Sequence, residues 1–89
     1  MSVCGVLLTE YGLQELGDAI APYLKKGPIG KFIYCESAVQ NGSFIEMVFD
    51  PKHTDGSIKA RMVISVPLQF VKFMATAEDT LTIGFTQPT

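Results

Sequence analysis

KFIYCESAVQNGSFIEMVFD, residues Lys31 to Asp50, is the stretch that decides the fold, because it holds two strand-like runs on either side of Asn41-Gly42. An Asn-Gly pair between alternating apolar residues is the strongest short-range signal for a β-hairpin. The stretch therefore predicts two antiparallel strands joined by a tight turn. The remaining elements are expected to pack around this hairpin.

The register of this hairpin decides which side chains face the core, and two registers compete. A two-residue turn at Asn41-Gly42 turns Glu36 toward the core. A three-residue loop, with Gly42 in the left-handed conformation, turns Cys35 inward instead and leaves Glu36 and Glu46 in solvent. We favour the second register, because an unpaired buried carboxylate costs several kcal/mol. Both registers place the same residues of the second strand inside: Ile45, Met47 and Phe49.

The chain contains more apolar residues than one small domain can bury. Its 89 residues are 47% apolar, and no linker or low-complexity run divides them, so we expect one small α+β domain over residues 1–89. A domain of this size hides only about 60 to 65% of the surface that its unfolded chain exposes. The apolar excess needs a second chain to cover it, and we therefore expect a homodimer.

The charge and the cysteine content of the chain indicate which partners and which cellular compartment to expect. The formal net charge is −2 and Arg61 is the single arginine, which argues against nucleic acid as a partner, since Lys and Arg drive phosphate binding. The sequence has no signal-peptide pattern and no apolar run of the roughly 20 residues that a membrane span needs. We therefore expect a cytoplasmic protein with no membrane contact, in which Cys4 and Cys35 are reduced.

Residues 9–24 predict a helix. Thr9 supplies a capping hydroxyl, and Glu10 lies in the first turn, where the helix dipole favours an anion. Pro22 removes one backbone hydrogen bond and predicts a kink or a restart. The apolar residues recur at helical spacing, as Leu13, Leu16, Ile20 and Leu24, and the end is marked by Lys25, Lys26, Gly27 and Pro28.

The second half of the chain predicts a strand, a short helix and a last strand. Residues 58–66 alternate clearly between apolar and polar, and Arg61 and Lys59 on their outer face can offset Glu46 and Asp50 of the hairpin. Residues 67–75 favour a short helix beginning at Pro67, with a strand as the open alternative. Residues 81–85 predict the last strand, and residues 2–8 an edge strand or an extended arm.

These elements predict an α+β fold. An N-terminal helix packs on an antiparallel sheet of about four strands, and a short second helix precedes the last strand. The four strands are the two of the hairpin, the alternating run and the C-terminal run.

No motif with specific chemistry is found in the sequence. Residues 27–32 resemble a phosphate loop only superficially, because Lys25 stands where the pattern needs its first glycine. Cys35 with His53 is the single pair that resembles a thiol nucleophile and its base, and an inert buried thiol is the better interpretation. Glu36 and Glu46 are expected on a solvated face. We therefore expect no catalytic residue, no metal site and no cofactor.

The functional signal is the apolar surplus that follows Pro67. A helix over this run is apolar nearly all round, so one stripe is left for another chain. Aromatic residues and arginine are favoured at interface hot spots. The sequence therefore predicts a non-enzymatic interaction module, a homodimer that binds or inhibits a partner protein. The expected contact residues are Leu68, Phe70, Val71, Phe73, Met74 and Arg61.

Two other classes of function remain as alternatives. One is a small-molecule binding or catalytic domain with a pocket between helix and sheet, which a deep pocket lined by Cys35, Tyr34 or Glu36 would favour. The other is a nucleic-acid-associated regulator that uses a basic stripe of Lys59, Arg61 and Lys72.

Overall fold

The computed structural model describes residues 3–50 and 60–85, and these form an α+β structure with an N-terminal helix and two antiparallel sheets. The helices of this part are α1, Glu10–Leu16, and the single-turn α2, Thr80–Ile83. Its strands are β1 Val3–Leu8, β2 Lys25–Gly27, β3 Gly30–Cys35, β4 Ser37–Asn41, β5 Phe44–Phe49, β6 Met62–Pro67 and β7 Val71–Ala77. Short 3-10 turns cover Gly17–Ala19, Ala21–Tyr23 and Leu68–Phe70.

The two sheets are connected at two places by short stretches of chain. The first sheet has the strand order β2-β3-β1-β7, and the second has the order β4-β5-β6. Only Glu36 separates β3 from β4, and only the turn Leu68–Phe70 separates β6 from β7. β1 pairs with β3 and β7, and β5 pairs with β4 and β6. These pairings and the two short chain connections together form a closed circuit of strands.

The core lies between the two sheets. Leu13 and Leu16 of α1 pack against it, so the predicted helix does cover apolar sheet residues. The prediction of one sheet of about four strands was incomplete, because the chain crosses between two sheets and buries side chains from both. The buried core residues are Cys4, Val6, Leu8, Ile20, Ile33, Cys35, Ile45, Met47, Phe49 and Val66.

The hairpin adopts neither of the two predicted registers. Asn41 pairs with Phe44, so Gly42 and Ser43 form the loop, and Gly42 has the expected left-handed conformation with φ of 64°. The chain bends at Glu36, and this bend changes which side chains point inward. In β3 the inward residues include Cys35, as the favoured register predicted, whereas in β4 Ala38 lies opposite Met47.

The first helix is shorter than predicted. Gly12 donates its backbone N–H to Oγ1 of Thr9 at 2.9 Å, which confirms the cap. The helix ends at Leu16, because Gly17 takes up a left-handed φ of 54° and stops it. Two 3-10 turns follow, with Pro22 in the second, and β2 occupies the residues where the helix end was predicted.

The predicted helix over residues 67–75 is wrong, and so is the last strand over residues 81–85. Leu68–Phe70 makes a single 3-10 turn, and Val71–Ala77 then forms β7 against β1. Residues 80–83 form α2, whose Thr82 backbone N–H donates to Asp79 Oδ1 at 2.7 Å. Residues 3–8 do form a strand, and it lies inside the first sheet, between β3 and β7, rather than at its edge.

The alternation that predicted a strand before Pro67 is confirmed over Met62–Pro67. Val66 is buried and lies opposite Ile45 of β5, while Val63 faces solvent. Arg61 donates from Nη1 to Asp50 at 3.3 Å, as predicted, and to Glu36 at 3.1 Å. The prediction that Glu46 would be the other partner of Arg61 is wrong, because Glu46 accepts from Asn41. Ile58, Lys59 and His53 lie outside the described residues.

Candidate interaction surface

Strand β7 lies at the edge of the first sheet. It pairs with β1 on one side, and no strand of residues 3–50 or 60–85 pairs with its other side. An edge strand presents backbone N–H and C=O groups that can bond to another chain. Phe73 and Met74 in this strand remain 53% and 38% exposed. The surface formed by Val71–Ala77, here called the β7 edge, thus combines backbone groups that no other described strand pairs with and apolar side chains.

The other predicted contact residues differ in exposure. Leu68 is 38% exposed in the turn that leads into β7. Phe70 is buried, with its ring 5.7 Å from that of Tyr11, and Val71 is half-buried against the core. A Cβ atom on Gly12 would lie 2.7 Å from Cβ of Phe70, so this glycine lets α1 approach the turn closely. Phe70 therefore does not belong to the exposed surface.

Arg61 lies apart from the β7 edge, because it precedes β6 whereas β7 follows β6. Its guanidinium bridges Glu36, at the bend between the sheets, and Asp50, at the end of β5. The arginine side chain is 61% exposed, so these ion pairs are screened by water and contribute little to stability. The structure places Arg61 in a link between chain segments and not beside Phe73.

Phe73 is held on one side by an aromatic cluster on the outer face of the first sheet. The ring of Phe85 lies 5.5 Å from that of Phe32 and 6.1 Å from those of Tyr34 and Phe73. Gly5 provides the space, since a Cβ there would approach the Phe85 ring to 2.9 Å. This cluster is not predicted from the sequence, because the alternation over residues 81–85 indicates a strand there.

The outer face of the second sheet carries a second apolar surface. Val39, Phe44 and Val63 are 58%, 47% and 55% exposed. Val63 lies opposite Val48, so valines adjoin across the strands. The signal in the sequence was an apolar residue at a solvent-facing position of each strand. This second apolar surface is not predicted from the sequence, because Glu46, Lys59 and Arg61 indicate a mainly polar outer face. This surface of Val39, Phe44, Val48 and Val63 is called the valine face.

A groove of about 360 Å³ lies between α1 and the first sheet. Cys35, Tyr34 and Glu36, which would have favoured a catalytic or binding pocket, do not line it. Two lysines, one glutamate and several apolar residues line it, so its charged lining has a net positive sign. Its lining residues are Leu7, Leu8, Glu10, Leu13, Ile29, Gly30, Lys31 and Lys72.

The two cysteines lie side by side in the core. Cys4 in β1 and Cys35 in β3 are register partners, both are buried, and neither forms a disulfide. The Cys35 thiol donates to the backbone oxygen of Cys4 at 3.6 Å. Hydrogen bonding from Cys35 lowers the pKa of the Cys4 thiol, while the same bond together with burial raises the pKa of the Cys35 thiol. These opposite directions favour the thiolate on Cys4 over the thiolate on Cys35.

Within the described ranges, no group of three or more His, Cys, Asp or Glu side chains is arranged to hold a metal ion. None of the helices in this part of the chain has the length and apolar composition for a membrane crossing. No family model, curated protein or solved structure matches this chain.

Proposed function

We propose that the protein is a non-enzymatic interaction module, a homodimer formed through the β7 edge that binds or inhibits a partner protein. The observation that carries the proposal is the edge position of β7 together with the exposed Phe73 and Met74. Extension of a sheet by another strand supplies main-chain hydrogen bonds, while side chains on alternate positions supply specificity.

A two-fold axis allows β7 to pair with the same strand of a second copy. Antiparallel pairing of identical strands is isologous, so every contact occurs twice. With the axis at Ala75, Lys72 lies opposite Glu78 of the second copy, and Phe73 lies opposite Ala77. Both charged side chains are exposed, so they are free to approach. An axis at Met74 would instead place Lys72 opposite Thr76, without a charge partner, and the register at Ala75 is therefore favoured.

The dimer recovers apolar area that each chain leaves in water. Complete burial of a Phe side chain gains roughly 1.5 to 3 kcal/mol, and Phe73 has about half of that gain left, since 53% of the residue is exposed. Each added backbone hydrogen bond contributes about 0.5 to 1.5 kcal/mol net. The valine face stays open in this dimer and is the surface proposed for the partner protein.

Analytical ultracentrifugation of Phe73→Glu tests the proposed dimer. The wild type is expected to sediment as a dimer and the variant as a monomer, because the pairing would bury the new carboxylate. Val63→Glu is the matched control, since Val63 is 55% exposed and lies in the other sheet. A monomeric wild type, or a Phe73→Glu dimer of unchanged affinity, would contradict the proposal.

A charge exchange tests the register without altering the aromatic cluster. Lys72→Glu and Glu78→Lys should each weaken the dimer by placing like charges opposite one another, and the double variant should restore it. Lys26→Glu, in β2 at the far edge of the first sheet, is the control for net charge. Equal affinities in all variants would exclude the register centred on Ala75.

Binding of a small anionic amphipathic molecule is a second candidate function, and the groove beside α1 favours it. Lys31 and Lys72 line the groove together with apolar side chains, and their two positive charges exceed the one negative charge of Glu10. The volume of about 360 Å³ suits a small ligand. Decanoate should raise the melting temperature more than decanol does, and Lys31→Glu should abolish the difference. Equal shifts with decanoate and decanol would rule this function out.

A further inference from the structure

We propose that Cys4 and Cys35 form an oxidisable dithiol, which hydrogen peroxide converts into an intramolecular disulfide between β1 and β3. Neither cysteine belongs to the β7 edge, and neither lines the groove described above. It rests on the pairing of the two strands and on the burial of both thiols.

The strand register brings the two cysteines to the separation that a disulfide requires. Directly opposed residues in an antiparallel pair have Cα atoms about 4.5 or 5.5 Å apart, depending on the kind of pair. Disulfides span Cα separations of about 4.4 to 6.8 Å. Cys4 and Cys35 are opposed in this way, and their side chains point into the same core. The bond can therefore form with the two strands still paired.

The position of the pair in the sheet explains how an oxidant reaches it. Cys4 and Cys35 are 1% and 4% exposed, so the closed structure shields both sulfurs. They form the terminal pair of the β1–β3 ladder, next to the bend at Glu36. Opening at this end separates Cys35 from Cys4 while Cys4 keeps its pairing with Thr76 of β7, and such a local opening costs less free energy than global unfolding. Because hydrogen peroxide is close to water in size, a small opening admits it, whereas a bulky disulfide needs a larger one.

The chemistry assigns a different role to each sulfur. The Cys35 thiol stabilises the Cys4 thiolate by hydrogen bonding, which lowers the pKa of Cys4. The thiolate is the nucleophile. It attacks one peroxide oxygen, the O–O bond breaks, and the hydroxide released takes up a proton to become water. The sulfur of Cys35 then attacks the Cys4 sulfenic acid, the S–O bond breaks, and a second water leaves. Two thiols and one peroxide thus give one disulfide and two waters.

The disulfide closes a loop from Cys4 to Cys35 that contains α1 and β2. Such a link restricts the unfolded chain and stabilises the folded state. We expect the melting temperature to rise by about 10 °C on oxidation and to return on addition of dithiothreitol.

Peroxide treatment of the native protein, followed by denaturation, alkylation and mass measurement, tests the proposal. The expected product is a monomeric chain lighter by about 2 Da than the reduced chain, with no alkyl group and with linked peptides around Cys4 and Cys35. If both thiols are still alkylated after prolonged peroxide treatment, the proposal is overturned. A disulfide that forms only when urea is present during the peroxide treatment would also overturn it. A disulfide between two chains would overturn it as well.

Single serine variants test the order of the two steps. In Cys35→Ser, a sulfenic acid at Cys4 should be trapped by dimedone, because no second thiol is present to displace water. In Cys4→Ser, the remaining thiol should react at least tenfold more slowly. Faster labelling at Cys35 would reverse the assigned roles and contradict the mechanism. If either variant fails to fold, the mass measurement on the wild type still decides whether the bond forms.

Discussion

At the scale of single residues, Gly5 determines where the C-terminal part of the described chain lies. A Cβ atom there would come within 2.9 Å of Phe85 and 3.1 Å of Ile83, both closer than unstrained side chains approach. The side chains of Phe85 and Ile83 therefore pack directly against the backbone of β1 at Gly5. Because Phe85 also contacts Phe73, this contact connects the buried outer face of the first sheet with the β7 edge.

Gly5→Ala is expected to lower the free energy of unfolding by about 1 to 3 kcal/mol, because the added methyl group meets the Phe85 ring. Urea unfolding measures the change. The control is the same substitution in a Phe85→Leu background, where the shorter side chain leaves room. The penalty should be smaller there, and equal penalties in both backgrounds would show that Phe85 is not the cause.

At the scale of elements, α1 depends on its two ends. The helix has seven residues and is too short to be stable alone, so its capping bond and its packing hold it in place. Thr9 also donates its backbone N–H to the carbonyl oxygen of Phe70 at 2.8 Å. The capping residue thus fixes α1 to the turn between β6 and β7.

Thr9→Ala should therefore destabilise the protein by about 1 kcal/mol, because the backbone N–H of Gly12 loses its side-chain acceptor. Thermal or urea unfolding measures this. Thr9→Ser keeps the hydroxyl and should remain within a few tenths of a kcal/mol of the wild type. A serine variant as unstable as the alanine variant would show that the methyl group of Thr9, and not the cap, is what matters.

Elements whose signals are local could be predicted from the sequence. The capping hydroxyl of Thr9, the hairpin at Asn41-Gly42 and the alternation ending at Val66 each depend on residues a few positions apart, and each is present. Glu36 shows where local reasoning fails, since the bend there allows Cys35 and Ala38 to face inward from two different sheets. The strands on the two sides of Glu36, β3 and β4, therefore have separate registers, which one hairpin register cannot describe.

Residues 67–77 could not be assigned from local pattern because apolar side chains on all sides fit two structures. A buried helix and a strand covered on both faces have the same composition there. The choice depends on β1, which lies more than sixty positions away in the sequence and offers its free side to β7. The exposure of Phe73 and Met74 agrees with the predicted surplus, while the burial of Phe70 depends on its distant contact with Gly12.

At the scale of the whole molecule, net charge limits the partners. The chain has a formal charge of −2, and Arg61 is bound to two carboxylates. The basic exception is the β2–β3 hairpin, where Lys26 and Lys31 are register partners.

We expect binding to nonspecific duplex DNA to be weaker than about micromolar at low salt, because the net charge of the chain is negative and its single arginine is held by two carboxylates. Fluorescence anisotropy of a labelled duplex measures it. Submicromolar binding that falls steeply with salt, and that is lost in Lys26→Glu, would show that the β2–β3 hairpin outweighs the overall charge.

The closed circuit of strands has a consequence for how the protein folds. The β4–β5 hairpin joins neighbours in the sequence, but β1 pairs with β7, and a loop of about sixty residues must close before that ladder forms. Such high contact order predicts refolding in milliseconds to seconds, which stopped-flow fluorescence of the tyrosines can follow, whereas microsecond refolding would contradict it. During synthesis β1 is made well before β7, so the side of β1 that β7 later covers stays exposed to other nascent chains throughout that interval.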